Sequence, residues 1–348
     1  MHLHPGKAMK PLPILALIGT GGTIAGSASS PEQSVRYKPA SIGVEAIVAS
    51  IPELTSRYKI RPIQAFQIGS YDITPSHWIE LLGIVEQSLA DPEVTAAVIT
   101  HGTDTLEETA CFLHLTVQSP KPVVLIGAMR PATAYSADGP ANVVNACAVA
   151  TDAKAHDRGA LVVMNGRIHS SLLVTKRHVS SVEAFDSGVE GAIGEVADGA
   201  VRWFRPAHRA KPLKLATHCD LPRVDIVSAY AGADDVAIEA FIQAGAKAIV
   251  HAGLGNGNAP PLSRRSLSTV PARDIWLGRC SRWIPGAITR NTGMFDDDGL
   301  GIMTAGPLLP HKLRIALMIA IAHGLNREAC QDWINGFWES SSESLHKP

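Results

Sequence analysis

The stretch that most constrains the fold is residues 98–109, VITHGTDTLEET, which begins as a short apolar run and turns abruptly polar. Thr105 and Glu108, three residues apart, predict a helix start with Thr105 as the N-cap of a capping box. We therefore expect a strand, a tight glycine turn and a helix. In open α/β sheets, ligands bind beyond the carboxyl ends of such strands, where Thr103 and Asp104 lie. A hydroxyl beside a carboxylate there can serve as nucleophile and orienting group.

The competing interpretation of this stretch is structural, because Asp and Thr before a helix most often only cap it. A second stretch of the same design lies near the start of the chain. There the apolar residues 15–18 lead into the glycine-rich residues 19–26, GTGGTIAG, with Thr23 as the central hydroxyl. Two strand ends of this kind favour a functional site over capping alone.

Composition and charge bound the class of protein. A chain of 348 residues with 46% hydrophobic residues is long enough for two domains with sizeable cores. A net charge of −1 argues against nucleic acid as the main partner and against a polybasic membrane contact. The longest apolar run, residues 315–322, is too short to span a bilayer. Residues 1–10 resemble a signal peptide only loosely, so we expect a loose tail and a cytoplasmic protein.

The cysteine and histidine usage indicates neither a disulfide framework nor a metal site. The five cysteines are odd in number, widely spaced and without a Cys-x-x-Cys pair. We expect Cys111 and Cys147 to be small buried hydrophobes on helix faces. The 14 histidines are scattered, so metal binding is not indicated.

Apolar runs that alternate with helical patterns predict βαβ units and a mostly parallel sheet. In the first half we predict strands at residues 14–18, 60–68, 94–100, 122–127 and 160–164, and helices at 44–50, 75–89 and 139–150. In the second half we predict strands at residues 224–229, 248–252 and 275–277, and helices at 234–244, 310–323 and 326–338. A basic, proline-punctuated segment separates the halves. We expect an N-terminal domain at 11–208, a linker at 209–222, a C-terminal α/β domain at 223–339 and then a disordered tail.

The glycine-rich turns do not fit nucleotide-binding patterns. The dinucleotide fingerprint Gly-x-Gly-x-x-Gly requires a third glycine, but Ile24 and Asn258 occupy that place in the two candidate turns. Neither turn is followed by the lysine of a P-loop. We therefore expect the glycines to let the backbone approach a small ligand.

Five stretches in order along the chain, TGGTIAG, HGTDTLEETA, GAMRP with SADGP, VTK and AGLGNGN, resemble the bacterial-type L-asparaginase family. The resemblance runs from about residue 15 to residue 322. It implies a two-domain α/β fold, with a larger, mostly parallel N-terminal sheet flanked by helices and a smaller C-terminal α/β domain. It also implies a homotetramer built from dimers with active sites between subunits, no cofactor, and hydrolysis of L-asparagine to L-aspartate and ammonia with some L-glutamine activity.

The resemblance also implies site residues, position by position. Thr23 corresponds to the primary nucleophile, Tyr37 to the lid tyrosine, and Thr103, Asp104 and Lys176 to a second catalytic set. Ser70 corresponds to the serine that holds the substrate α-carboxylate, and Asn256 to an asparagine supplied by the neighbouring subunit. The residues we expect to contact substrate are Gly22, Ser70, Tyr71, Gly102, Thr103, Asp104 and Asn256.

These residue types allow a coherent chemistry. A threonine hydroxyl is a poor nucleophile and needs a base or a hydrogen-bond relay. Thr23 with Tyr37 is one such pair, and Thr103 with Lys176 and Asp104 is another, in which a desolvated lysine takes a proton. A backbone N–H of a glycine-rich turn can stabilise the oxyanion. A lone lysine is by default a solvated surface charge, so only the resemblance favours Lys176.

Two departures from the family pattern bear on the substrate. Secreted members often have Gln or Glu after the site serine, where this chain has Tyr71. They also have a Glu where this chain has Met294, although Asp296 or Asp297 is a candidate to replace it in space. Loss of a charged hydrogen bond costs about 1.5–3 kcal/mol. We therefore predict weaker asparagine affinity than the secreted members show.

A third departure lies in residues 263–286, where arginine and tryptophan stand in place of an apolar strand of the family. Divergence at a sheet edge and a frame slip are both open explanations.

Two other functions compete with amide hydrolysis: a binding protein with this fold and little turnover, and a subunit of a tRNA-dependent amidotransferase. The near-zero net charge and the early first strand argue against the second of these.

Overall fold

The computed structural model describes residues 11–33, 36–216, 218–282 and 286–338. The strands are β1 (Ile14–Gly21), β2 (Lys59–Ile68), β3 (Val94–Thr100), β4 (Val123–Ile126), β5 (Ala160–Met164), β6 (Arg167–Ser170), β7 (Thr175–Lys176), β8 (Phe185–Asp186), β9 (Gly194–Ala197), β10 (Ala200–Trp203), β11 (Val224–Ser228), β12 (Ala248–Gly253), β13 (Trp276–Ser281) and β14 (Met303–Thr304). The helices are α1 (Val44–Ala49), α2 (Pro52–Arg57), α3 (Pro75–Ala90), α4 (Leu106–Thr116), α5 (Gly139–Thr151), α6 (Val236–Gln243), α7 (Pro261–Thr269), α8 (Asp297–Leu300), α9 (Pro310–His323) and α10 (Arg327–Asn335). The predicted tails, residues 1–10 and 340–348, lie outside the described residues.

The larger sheet belongs to the first half of the chain and has the order β10-β9-β6-β5-β4-β3-β1-β2. Strands β1 to β5 run parallel, and β6, β9 and β10 extend the sheet with antiparallel pairs. The two-domain α/β fold with a mostly parallel sheet is confirmed. The antiparallel extension was not predicted, because four-residue strands are too short to show a clear alternation.

Burial explains why these strands read as continuous apolar runs. In β3 and β4 nearly every residue is buried, as expected for parallel strands covered on both faces. Helices α1, α2 and α5 share a core with one face of the sheet, and α3 and α4 share a core with the other. In α4 every residue except Glu108 is buried, because the helix lies between the sheet and α9 of the second domain.

The smaller sheet has the order β11-β12-β13-β14, all parallel. Strand β13 lies inside this sheet, so the interpretation of residues 263–286 as divergence at an edge is wrong. The arginine of this strand, Arg279, is buried against Asp297, with 1% and 0% of the two side chains exposed. A charge is tolerated in such a strand because its partner carboxylate is buried with it.

Several predicted elements agree with the structure, including β3, β5 and α9 at their predicted bounds. The predicted capping box at Thr105 is wrong. Thr105 does occupy the N-cap position, but its hydroxyl donates to the carbonyl oxygen of Ser70 at 2.7 Å instead of accepting from the helix. Cys111 and Cys147 are buried as predicted. No helix in the described ranges is long and apolar enough to cross a membrane.

Candidate active site

A small pocket lies at the carboxyl ends of β1, β2 and β3, which are neighbours in the sheet. Its volume is about 200 Å³. The residues that line it are Gly22, Thr23, Tyr37, Pro39, Gly69, Ser70, Tyr71, Gly102 and Asp104. The two hydroxyl-bearing turns singled out in the sequence therefore meet here, because parallel strands bring their carboxyl ends to the same edge of a sheet.

Thr23 and Tyr37 form a hydrogen-bonded pair in this pocket. Thr23 begins a short 3-10 turn directly after β1 and is buried, and its Oγ1 lies 2.6 Å from the Tyr37 hydroxyl. The tyrosine sits on the loop after this turn, whose course is tied by reciprocal backbone hydrogen bonds between Ser27 and Lys38. Its ring packs against Gly26, where an added Cβ would come within 2.8 Å of it. This contact has the geometry that a threonine nucleophile with a proton relay requires.

Beside the residues that line the pocket, a lysine contacts both a second hydroxyl and a carboxylate. Lys176 Nζ donates to Thr103 Oγ1 at 2.9 Å and to Asp104 Oδ1 at 2.7 Å. Only 17% of the lysine side chain is exposed, whereas 55% of the Asp104 side chain is exposed. The lysine is therefore not a solvated surface charge, and the carboxylate keeps oxygen surface free to meet a ligand.

Ser70 and Tyr71 follow β2 and form the wall of the pocket. Ser70 is buried, and its Oγ accepts a hydrogen bond from the Asp104 backbone N–H at 3.1 Å. This bond fixes the serine against the turn that carries Thr103. Tyr71, by contrast, is 65% exposed and its ring lies over Gly69, where an added Cβ would come within 2.5 Å of it. The tyrosine is thus placed at the mouth of the pocket.

Behind the pocket lies a buried imidazole that sequence analysis did not use. His101 is fully buried, and its Nδ1 lies 2.7 Å from the Gly102 carbonyl oxygen. Burial lowers the pKa of His101 to about 4 and outweighs that hydrogen bond, which acts in the opposite direction. The imidazole is therefore neutral at physiological pH, and Nδ1 is the nitrogen that donates, because a carbonyl oxygen only accepts.

Asn256 does not line the pocket within the described chain. It is exposed on the turn after β12, where its Oδ1 accepts from the Thr289 backbone N–H at 2.7 Å. Arg279 Nη1 holds the carbonyl oxygen of Asn256 at 2.8 Å, so a buried ion pair anchors this turn.

Met294, which stands where secreted members have the glutamate, and the two candidates to replace that glutamate in space all have contacts within the second domain. Met294 packs on the core of the second domain, and its sulfur accepts from the Ala259 backbone N–H at 3.5 Å. Asp297 forms two hydrogen bonds with Arg279 in the interior, so the idea that it replaces the glutamate is wrong. Asp296 caps α8 through the Gly299 backbone N–H at 3.0 Å and remains exposed.

A larger cavity of about 590 Å³ lies elsewhere in the same domain, between β6 and the ribbon of β7 and β8. Its wall mixes charges of both signs, including Arg167, Arg177, Glu183 and Asp186. The smaller pocket is the better candidate active site, because hydroxyls in contact with proton donors and acceptors define catalytic geometry more directly than volume does.

Pro39 and Gly69 line the pocket and were not predicted. Gly69 immediately precedes the site serine in GSYD, so its position at the end of a strand could have predicted that it lines the pocket. Pro39 lies two residues after Tyr37 in a polar loop and carries no signal of its own.

A two-domain α/β fold, a pocket that contains the Thr23–Tyr37 pair, and the contacts of Lys176 beside it are typical of a hydrolase. Comparison with known proteins gives the family. The family model for the N-terminal asparaginase domain matches residues 14–209, and the model for the glutaminase/asparaginase C-terminal domain matches residues 223–334. The chain belongs to the asparaginase family, as the sequence motifs predicted.

Individual relatives support this assignment over nearly the whole chain. L-asparaginase 2 of Escherichia coli K12 is 37% identical over 330 residues, covering 94% of each chain. A glutaminase-asparaginase of Pseudomonas fluorescens is 38% identical over 329 residues, covering 93% of this chain and 90% of the relative. The crystal structure of a probable cytoplasmic L-asparaginase from Campylobacter jejuni superposes with a TM-score of 0.89 at 34% identity, covering 93% of this chain and 99% of the other.

Proposed function

We propose that this protein hydrolyses the side-chain amide of L-asparagine to L-aspartate and ammonia, with minor activity on L-glutamine. The observation that carries the proposal is the contact of Lys176 with both Thr103 and Asp104, beside the Thr23–Tyr37 pair. Relatives named L-asparaginase and glutaminase-asparaginase support the choice of substrate.

The proposed reaction has two halves. In the first, the Thr23 oxygen bonds to the amide carbon, and the hydroxyl proton leaves through its hydrogen bond to Tyr37 and ends on the amide nitrogen. The C–N bond then breaks, ammonia leaves, and an ester joins Thr23 to the aspartyl group. In the second half, water adds to the ester carbonyl, aspartate leaves and the threonine hydroxyl is restored. Thr103 and Lys176 form a second proton-transfer pair for these steps.

The substrate placement follows from hydrogen-bonding capacity and charge. Ser70 lies at the end of β2, and its oxygen accepts a hydrogen bond from the backbone. Its hydroxyl can donate to an anion, and we assign it to the substrate α-carboxylate. Asp104 presents an exposed carboxylate, and we assign it to the α-ammonium group. The turns at Gly22 and Gly102 supply the backbone approach to the amide group. Asn256 completes the site from a neighbouring subunit.

The quaternary structure, location and domain limits complete the proposal. We expect a homotetramer arranged as a dimer of dimers, as the family resemblance implies, and the place of Asn256 away from the pocket of its own chain supports a site shared between subunits. Light scattering coupled to gel filtration measures the mass of the assembly directly.

We expect a cytoplasmic protein, supported by the name of the Campylobacter jejuni neighbour, although a similar protein of Haemophilus influenzae is named periplasmic. Cell fractionation distinguishes the two. We place the domain limits at residues 11–208 and 223–339.

The direct test is ammonia and aspartate release from L-asparagine, with L-glutamine alongside. We expect both products in equal amounts from asparagine and a slower reaction with glutamine. If neither amide yields ammonia at millimolar substrate, the hydrolase proposal fails. Calorimetric titration with both amides then tests the alternative, a binding protein for amino-acid amides with little or no turnover.

A further inference from the structure

A buried carboxylate lies directly behind Lys176. Glu107, in the first turn of α4, is buried, and its Oε1 accepts from Thr175 Oγ1 at 3.1 Å and from the Lys176 backbone N–H at 3.2 Å. The lysine ammonium meanwhile reaches forward to Thr103 and Asp104. The backbone and the ammonium group of Lys176 therefore both bind the same segment, which runs from the turn after β3 into the first turn of α4.

The other oxygen of Glu107 faces the second domain. His311 Nε2 donates to Oε2 at 3.0 Å, and the fully buried Lys312 Nζ lies 3.8 Å from the same oxygen. Lys312 also donates to the carbonyl oxygens of Ser171, at 3.0 Å, and Val174. The first turn of α9 therefore holds Glu107 and the backbone that leads into β7.

The charge state of Glu107 suits this role. Burial raises the pKa of its carboxyl, but the hydrogen bond from His311, the charges of Lys312 and His311 and the hydrogen bond from the Lys176 backbone together outweigh it, so the pKa lies below the ordinary value. Glu107 is consequently an ionised carboxylate that only accepts hydrogen bonds. Each group that faces its two oxygens in the structure is a donor or a cation.

The position of Lys176 needs such support. Within the described chain, β7 has two residues and pairs with the two residues of β8, apart from the main sheet. A two-stranded ribbon of this size is marginally stable on its own. A lysine side chain also loses considerable rotamer freedom when it is fixed in one conformation. Contacts from neighbouring elements must therefore hold the lysine in place.

We propose that Glu107, His311 and Lys312 form a positioning cluster that sets Lys176 against Thr103 and so makes turnover depend on the second domain of the same chain. The proposal rests on the proposed function, in which Lys176 works with Thr103. The three residues touch neither pocket nor substrate, and they act through the lysine.

Glu107→Gln tests the cluster with little change of shape. The amide keeps one oxygen acceptor but loses the negative charge and turns the other oxygen into a donor. We expect kcat for asparagine to fall on the order of 10–100-fold, as for a misplaced catalytic group, with a much smaller change in KM. Glu108→Gln, a matched change at the next position of α4, should leave kcat near the wild-type value.

A double-variant comparison separates positioning from general damage. In a Lys176→Met background, Glu107→Gln should lower kcat no further, because the residue through which it acts is gone. An equal fold-loss in both backgrounds would overturn the proposal.

If Glu107→Gln folds poorly, His311→Ala and His311→Gln replace it. We expect the glutamine variant, which retains an N–H donor, to recover part of the activity that is lost with alanine. Wild-type kcat in folded Glu107→Gln and His311→Ala would also overturn it.

A crystal structure of Glu107→Gln gives a readout independent of activity. We expect Lys176 Nζ to lie outside hydrogen-bond reach of Thr103 Oγ1. An unchanged Lys176–Thr103 contact would overturn the positioning role even if the wild-type enzyme releases no ammonia. Absence of ammonia with a displaced lysine would instead leave the cluster standing and remove the proposed function.

Discussion

Gly22 and Gly102 meet backbone to backbone at the floor of the candidate active site. A Cβ atom added to Gly22 would lie 2.2 Å from the Gly102 Cα, and Gly22 has a φ of +78°. The first residue follows β1 and the second follows β3, so this contact joins the two turns that carry Thr23 and Thr103. Only glycine allows both the backbone conformation and the approach.

Gly22→Ala should therefore destabilise the fold and abolish activity. We expect a loss of about 2–5 kcal/mol in the free energy of unfolding, from the left-handed conformation together with overpacking. Gly232→Ala is the matched control, because its φ is +80° and an added Cβ meets no described atom within 4 Å. It should cost about 1–2 kcal/mol. Equal losses in the free energy of unfolding for the two variants, measured by denaturant unfolding, would show that the close approach of Gly22 to Gly102 does not contribute to stability.

Tyr71→Gln should strengthen asparagine binding. The tyrosine lies at the mouth of the pocket, where the family resemblance implies a residue that accepts a hydrogen bond from the substrate α-ammonium group. A charged hydrogen bond contributes about 1.5–3 kcal/mol, so KM should fall roughly tenfold or more. Tyr230→Gln, at an exposed tyrosine of the second domain, is the control. A KM that stays the same or rises in Tyr71→Gln would remove Tyr71 as the cause of weak affinity.

Acid should destabilise the protein through its buried histidines. Burial lowers the pKa of His101, His114, His169 and His251 from 6.5 to about 4. Between these values the unfolded chain takes up protons that the folded chain does not bind, so stability falls as the pH drops from 6.5 towards 4.

His114→Gln gives this expectation a specific test, because glutamine cannot take up a proton. Its melting temperature should fall less between pH 7 and pH 5 than that of the wild type. The exposed His156→Gln should keep the wild-type dependence. The same pH dependence in all three proteins would mean that His114 does not contribute.

The parts of the fold that could be predicted from sequence are those with strong local patterns. Strand β3 is a continuous apolar run, helix α9 is a long apolar segment, and the glycine-rich turns mark where the first strands end. The ribbon of β7 and β8 could not be predicted, because its two-residue strands depend on contacts with distant elements. The capping box at Thr105 was wrong for a related reason: tertiary contact with Ser70 redirects the hydroxyl.

Individual site residues could be predicted from the sequence, but the residues that hold them in position could not. Thr23 and Thr103 stand in recognisable turns, whereas Lys176 needed the family resemblance. Glu107 reads locally as a helix-start acid, and its link to His311 joins residues 204 positions apart. No local pattern reports such a contact. Asp297 was one of two open candidates to replace the glutamate, and its sequence position does not show that Arg279 is buried beside it.

The most direct measurement is the rate of ammonia release from L-asparagine by the wild type, Thr23→Ala and Thr23→Ser, with the exposed Thr55→Ala as control. We predict that Thr23→Ala loses on the order of 10³-fold or more in kcat, as expected for a nucleophile. Thr23→Ser should keep part of the activity, because it retains a hydroxyl, and Thr55→Ala should match the wild type. Wild-type turnover by a folded Thr23→Ala protein would contradict Thr23 as the nucleophile and with it the proposed mechanism.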